Sequence, residues 1–198
     1  MPLIRRDFAK LAVLALLASG GPLMPVSHAV DRVKTLLLQP NGWVPNNPRL
    51  PVLIYLKAIA TEGSDPAALF EKTFQGNGWP PQWRYGIFNY HHYHTEGHEV
   101  LGVASGQARL MLGGPDGHLL AVSAGDVLLL PAGTGHCNLG SSDDFLVVGA
   151  YPPGQHADIC REAPSAAQLA SIEKLPFPDV DPVQGARGAV AQYWGSQR

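Results

Sequence analysis

Basic charge is scarce in this chain. Lys and Arg together number 14 against 16 Asp and Glu in 198 residues, and they are scattered rather than gathered into a stripe. That removes the electrostatic footprint of a nucleic-acid-binding protein and points to a small molecule as partner. Cysteine is scarcer still. Cys137 and Cys160 are the only two, so at most one disulfide joins them, allowed but not required in an oxidising compartment. Long apolar runs are missing: Leu11 to Ala18 gives way to Gly and Pro, well short of the ~20 residues a membrane-spanning helix needs. No stable membrane anchor is expected. Neither an internal repeat nor a low-complexity linker divides the chain, and its 45% hydrophobic composition suits one core.

What is present begins with Arg5-Arg6-Asp7-Phe8-Ala9-Lys10, then the short apolar run, then Ser27-His28-Ala29. A basic start, an apolar stretch and a small-x-small site are the parts of a cleavable export segment over residues 1–29, leaving a domain over 30–198. The arginine pair with Phe8 and Lys10 resembles the twin-arginine signal, which carries folded proteins; Ile4 and Ala9 depart from it. Ordinary export and a retained anchor are the alternatives. The expected destination is the periplasm or the exterior.

Glycine (22) and proline (18) are plentiful, which favours short strands and tight turns over a helical bundle. Apolar β-favouring runs stand at Lys34–Leu38, Val52–Lys57, Ala108–Leu112, Leu119–Ser123, Asp126–Leu130 and Phe145–Ala150, separated by Gly, Pro, Asn and Asp clusters. Two short flanking helices are expected. One starts at Asp65-Pro66, carries Leu69, Phe70 and Phe74 and stops at Gly76; the other has Ser165 and Gln168 at capping-box spacing. The tail with Trp194 is expected to wrap the barrel, and Trp79 and Trp83 read as packing residues in a Pro-rich loop. The fold class is all-β, a sandwich or barrel.

Four of the eight histidines lie in His91-His92-Tyr93-His94-Thr95-Glu96-Gly97-His98-Glu99. On a strand His92 and His94 share a face, so one ion can bind both. Glu99 can return a carboxylate from the next strand and His136 an imidazole from a third. Three imidazoles and a carboxylate suit one borderline divalent metal, with Fe or Mn first and Ni, Co or Zn as alternatives. His91, Tyr93 and Cys137 should face away from that ion, and His98 belongs behind it or at the surface. Tyr90 shares the ligand face. Glu96, and behind it Glu62, are the candidate acids, and Arg84 is the cation nearest the motif.

These residues resemble both motifs of the cupin superfamily. Gly86, His92, His94, Glu99 and Gly106 match the first, and Gly125, Pro131, Gly133 and His136 the second. Gly140 stands where the family often has Asn. The resemblance covers about residues 85–151 by motif. The segments Gln39–Asn47 and Ala150–Gln155 extend it to the YjlB-like group of single cupins. It implies a jelly-roll double-stranded β-helix, a metal on His92, His94, Glu99 and His136, and pairing of two copies through edge strands. An octahedron with four protein ligands keeps two places for water, dioxygen or substrate, which implies an enzyme, dioxygenase-like first and a decarboxylase or isomerase next. The alternatives are a non-catalytic small-molecule or sugar binder and a purely structural barrel.

Overall fold

Runs such as Val52-Leu53-Ile54-Tyr55 and Val127-Leu128-Leu129-Leu130 are apolar at every position. Successive side chains on a strand point to opposite faces, so such strands need cover on both. The computed structural model, which describes residues 33–195, supplies it. The export segment expected over residues 1–29 lies outside the described residues.

The elements are β1 (Val33–Leu36), β2 (Val52–Tyr55), α1 (Pro66–Gly76), β3 (Pro81–Tyr85), β4 (Glu99–Ser105), β5 (Gln107–Leu112), β6 (His118–Ser123), β7 (Val127–Leu130), β8 (His136–Ser141), β9 (Leu146–Ala150) and α2 (Ala166–Lys174), then a π-helical turn at Val190–Trp194. Six strands form one sheet in the order β1-β2-β7-β4-β9-β3, and β6-β5-β8 form the other. Every strand pairing is antiparallel. This is the expected all-β architecture with short flanking helices.

Two cores follow from the two faces of the large sheet. Ile54, Leu101, Leu128 and Val147 meet Leu110 and Leu112 of the small sheet. Leu53, Tyr55, Val100, Leu129 and Val148 are covered from outside by Phe70 and Phe74 of α1 and by Trp79 and Trp194. α1 starts where the sequence signals it, with the Asp65 side chain accepting from Ala68 N and Pro66 in the first turn. It lies close on β4 because Gly102 has no side chain: a Cβ there would sit 2.3 Å from Phe70 Cδ1. Leu69 is not part of the buried stripe and is 38% exposed. α2 begins with the full Ser165–Gln168 capping box.

The tail wraps as expected. Trp194 is buried and its Nε1 donates to Pro51 O at 2.9 Å, while buried Asp181 accepts from Tyr55 OH at 2.6 Å and Val190 N at 3.0 Å. One element differs from the sequence reading. Trp83 lies not in a loop but on β3, which pairs with β9; Pro81, without an N–H to give, opens the strand at the sheet edge. Both cysteines are free thiols. Among the described residues no helix is long and apolar enough to cross a membrane.

Candidate metal centre

The segment 91–94 is extended but joins neither sheet as a strand. It is tied by a bridge between His92 and His136, with N···O of 3.2 and 2.9 Å, and by another between Tyr93 and Cys160 at 3.1 and 2.9 Å. Alternation along it turns His92 and His94 inward. Tyr93 turns the other way and its hydroxyl donates to Glu162 O at 2.7 Å. Glu99 is the first residue of β4 and His136 the first of β8, so all four expected ligands meet where the sheets open.

Each of the three imidazoles has its Nδ1 against a backbone carbonyl: His92 on Tyr90 O at 3.1 Å, His94 on Asp158 O at 2.8 Å and His136 on Thr134 O at 3.0 Å. A carbonyl only accepts, so each Nδ1 carries the proton and each Nε2 presents a lone pair. The three rings offer ligand atoms within 4.8 Å of one another, all buried. Glu99 Oε2 lies 3.4 Å from His94 Nε2 and 3.3 Å from His136 Nε2, and it is buried without a hydrogen-bond partner. Burial opposes charge on Glu99; protons on His94 and His136 Nε2 would hold it well below the usual carboxylate range, and an ion taking the place of those protons would do the same. Burial and His136 push His92 down to about 3, so it is neutral.

An orphaned carboxylate oxygen facing imidazole lone pairs calls for positive charge between them. The separations suit donors that each sit ~2.1 Å from one ion. The residues present therefore fit a divalent metal.

Behind the ligands lie groups that sequence reading missed. Tyr151 OH donates to Glu99 Oε1 and accepts from Trp83 Nε1 at 3.1 Å. Asp158, whose carbonyl holds His94, accepts with its carboxylate from Thr95 N at 2.7 Å, Thr95 Oγ1 at 2.6 Å and Glu96 N at 3.0 Å. Strand parity counted from inward Val147 on β9 reaches Gly149 and then Tyr151, a signal that was available. Asp158 sits in irregular chain and carried none.

A cavity of about 290 Å³ opens over the four residues, walled by Trp83, Ile87, Phe88, Leu101, Ala157 and Ile159 among others. Three weaker candidates fall outside it. Arg84 points off the opposite face of β3 and is spent on α1, pairing with Glu71 at 2.6 Å and Asp65 at 2.9 Å; strand parity that brings Trp83 and Tyr85 inward turns it out. Glu96 is exposed and pairs with His156 at 2.7 Å. Glu62 is also exposed and lines no part of the cavity.

Tyr90 does not line the cavity either. It stacks on Phe88 with centroids 4.9 Å apart and meets the His92 ring edge-on at 5.5 Å. His98 is buried behind the site rather than exposed. Its Nδ1 accepts from Ala132 N at 3.0 Å, which steadies the turn ahead of His136, and burial pushes it down to about 4.

Two antiparallel sheets with three histidines and a glutamate turned inward from β4, β8 and the segment before β4 define a cupin. The chain belongs to the family of YjlB, an uncharacterised protein of Bacillus subtilis (strain 168), with which it is 34% identical over 163 residues, 81% of this chain and 96% of that one. Models of known protein families give no match. Among solved structures it is similar to an acireductone dioxygenase from Bacillus anthracis with cadmium in its active centre, 17% identical over 56% of this chain and 83% of that one, TM-score 0.39. It is also similar to the Bacillus subtilis oxalate decarboxylase with Mn(II) centres, 23% identical over 66% and 31% of the two chains, TM-score 0.31. At such scores the fold rests on this chain's own strand order and site.

Proposed function

We propose that this protein is a mononuclear metal-dependent enzyme, a dioxygenase-like oxidoreductase acting on a small molecule, with one iron or manganese ion held by His92, His94, Glu99 and His136. The observation that carries the reading is the buried, unpartnered Glu99 Oε2 facing His94 and His136 Nε2 at the floor of an open cavity. Such an ion supplies Lewis acidity toward an oxygen-donor substrate and, as iron or manganese, one-electron redox chemistry.

The chain's own residues prepare that site. Backbone carbonyls fix the three imidazoles in one tautomer, and Tyr151, steadied by Trp83, fixes the carboxylate. The apolar walls keep bulk water from the reacting end of the substrate. Decarboxylation and isomerisation need a proton donor or base beside the substrate. Among the described residues the cavity wall offers no acidic side chain besides Glu99, and Tyr151 already donates to that glutamate. This favours the oxygen-dependent reading over the other two.

The Arg5-Arg6 start and the Ser27-His28-Ala29 site support export of this enzyme. The outer edge of β1, which pairs only with β2 among the described strands, supports a homodimer.

Elemental mass spectrometry of the exported protein, purified without chelator, tests the reading. About one iron or manganese per chain is expected, and none in His92→Ala/His136→Ala. Zinc alone, or the same metal content in the variant, overturns redox catalysis and leaves a binding module as the better description.

A further inference from the structure

The walls of the cavity say more about the substrate than the ligand set does. Among the described residues, no lining side chain apart from Glu99 and the three histidines carries a formal charge. Two polar groups of the wall are already engaged: Trp83 Nε1 donates to Tyr151 OH, and Tyr151 OH donates to Glu99. What remains to touch a ligand is Ile87, Phe88, Leu101, Ala157, Ile159, the face of Trp83 and, at the rim, Tyr85 with its hydroxyl. The rim is mainly apolar as well: Tyr85, whose hydroxyl is its one polar group, Phe88 and Ile159 are 67%, 36% and 49% exposed and all belong to this cavity. Large apolar side chains left open around one concavity mark a surface that an apolar partner covers.

The cations that might have served an anionic group lie elsewhere. Arg84 is held by Glu71 and Asp65 on the far face of β3. Arg161 lies over the Tyr90 ring, 4.2 Å from its centroid, and does not line the cavity. A divalent ion with Glu99 and three neutral imidazoles leaves one positive charge uncompensated, and the walls add nothing to balance it. A ligand bearing one negative charge closes that balance; a dianion would bring a second charge into an apolar space without a partner. A sugar would leave several hydroxyls unpaired against Ile, Leu and Phe.

Resting on the metal-centre reading above, we infer that the substrate is a compact apolar molecule whose polar part is confined to one monoanionic, oxygen-chelating head. The head meets the metal end of the cavity beside Glu99 and the three histidines, and the apolar body lies along Phe88 and Ile159 toward the mouth. A cavity of about 290 Å³ limits that body to roughly one ring or a short branched chain.

Two hydroxamates with the same chelating head test this on the metal-loaded full chain by isothermal titration calorimetry, a readout independent of turnover. Benzohydroxamate is expected to bind on the order of thirtyfold tighter than acetohydroxamate, because only its ring is buried against the walls. Oxalate, a dianion without an apolar body, is expected to be the weakest of the three. Ile159→Asn, at a half-exposed position away from the ligands, should lower benzohydroxamate affinity about fivefold and leave acetohydroxamate unchanged. Equal affinity for the two hydroxamates, a preference for oxalate, or indifference to Ile159→Asn overturns the substrate class while the metal reading stands. A protein that holds no metal by elemental analysis overturns the metal reading, and the substrate class with it.

Discussion

At the scale of single residues, the convergence of the four candidate ligands was legible because each is specified twice, by type and by spacing. His92 and His94 need strand parity, and Glu99 and His136 need fixed offsets from glycines and Pro131 that set turns. The groups behind them were legible only in part, since parity along β9 turns Tyr151 inward without announcing its role. Tyr151 acts through one hydroxyl on Glu99, and Asp158 through a backbone carbonyl that any residue possesses. The weaker candidates failed for a related reason. Nearness in sequence brought Arg84 and Glu96 to notice, but parity sends Arg84 to α1 and a turn sends Glu96 to His156. Tyr151→Phe removes the one hydrogen bond to Glu99 Oε1 while keeping the ring. Metal affinity should fall about 10- to 100-fold with the fold intact, as read by competition with a chromophoric chelator; an unchanged affinity would mean that Tyr151 does not orient the ligand.

At the scale of elements, strands whose neighbours include Gly, Pro or Asp turns announced themselves, as β5 to β7 and β9 did. β3 did not: Pro-Gln-Trp-Arg-Tyr does alternate, but the prolines at and before its start read as a loop, and the strand is completed by pairing with β9. That pairing depends on a missing side chain. A Cβ on Gly149 would lie 1.9 Å from Trp83 Cε2, so the indole occupies the space an ordinary residue would fill. Gly149→Ala should push Trp83 off β9 and break its hydrogen bond to Tyr151. We expect a loss of about 1–3 kcal/mol from overpacking, measured by urea unfolding, together with a shift in tryptophan fluorescence. A variant as stable as wild type would show that β3 moves freely against β9.

At the scale of the whole molecule, the doubly covered sheet explains why β2 and β7 have no polar face. Their uniform apolarity told of burial but not of what would cover the outer side, since α1 and the tail come from distant parts of the chain. The same burial sets the response to alkali. Burial, with Asp181 beside it, raises Tyr55 well above the ordinary phenol value; burial also raises Tyr93, to about 12, and Tyr151. For groups raised in the folded state, the stability they contribute is complete below the unfolded value of ~10 and is lost as pH climbs beyond it. The raised thiols of Cys137 and Cys160 add the same effect from their lower unfolded value of ~8.5. Unfolding midpoints in urea should therefore begin to fall from about pH 8.5 and fall more steeply above about 10; a midpoint that rose with alkali would contradict the buried, neutral phenols.

The thiol of Cys160 donates to Asp158 Oδ2 at 3.2 Å and accepts from Gln168 Nε2 at 3.4 Å, and burial and Asp158 push it up to about 12. A thiol so placed has almost no thiolate at neutral pH and meets alkylating reagents slowly. The chain thus carries its own clock. Alkylation of the half-buried Cys160 is expected to quicken whenever the segment from Asp158 to Cys160 lifts away from Thr95, and with it the carbonyl behind His94.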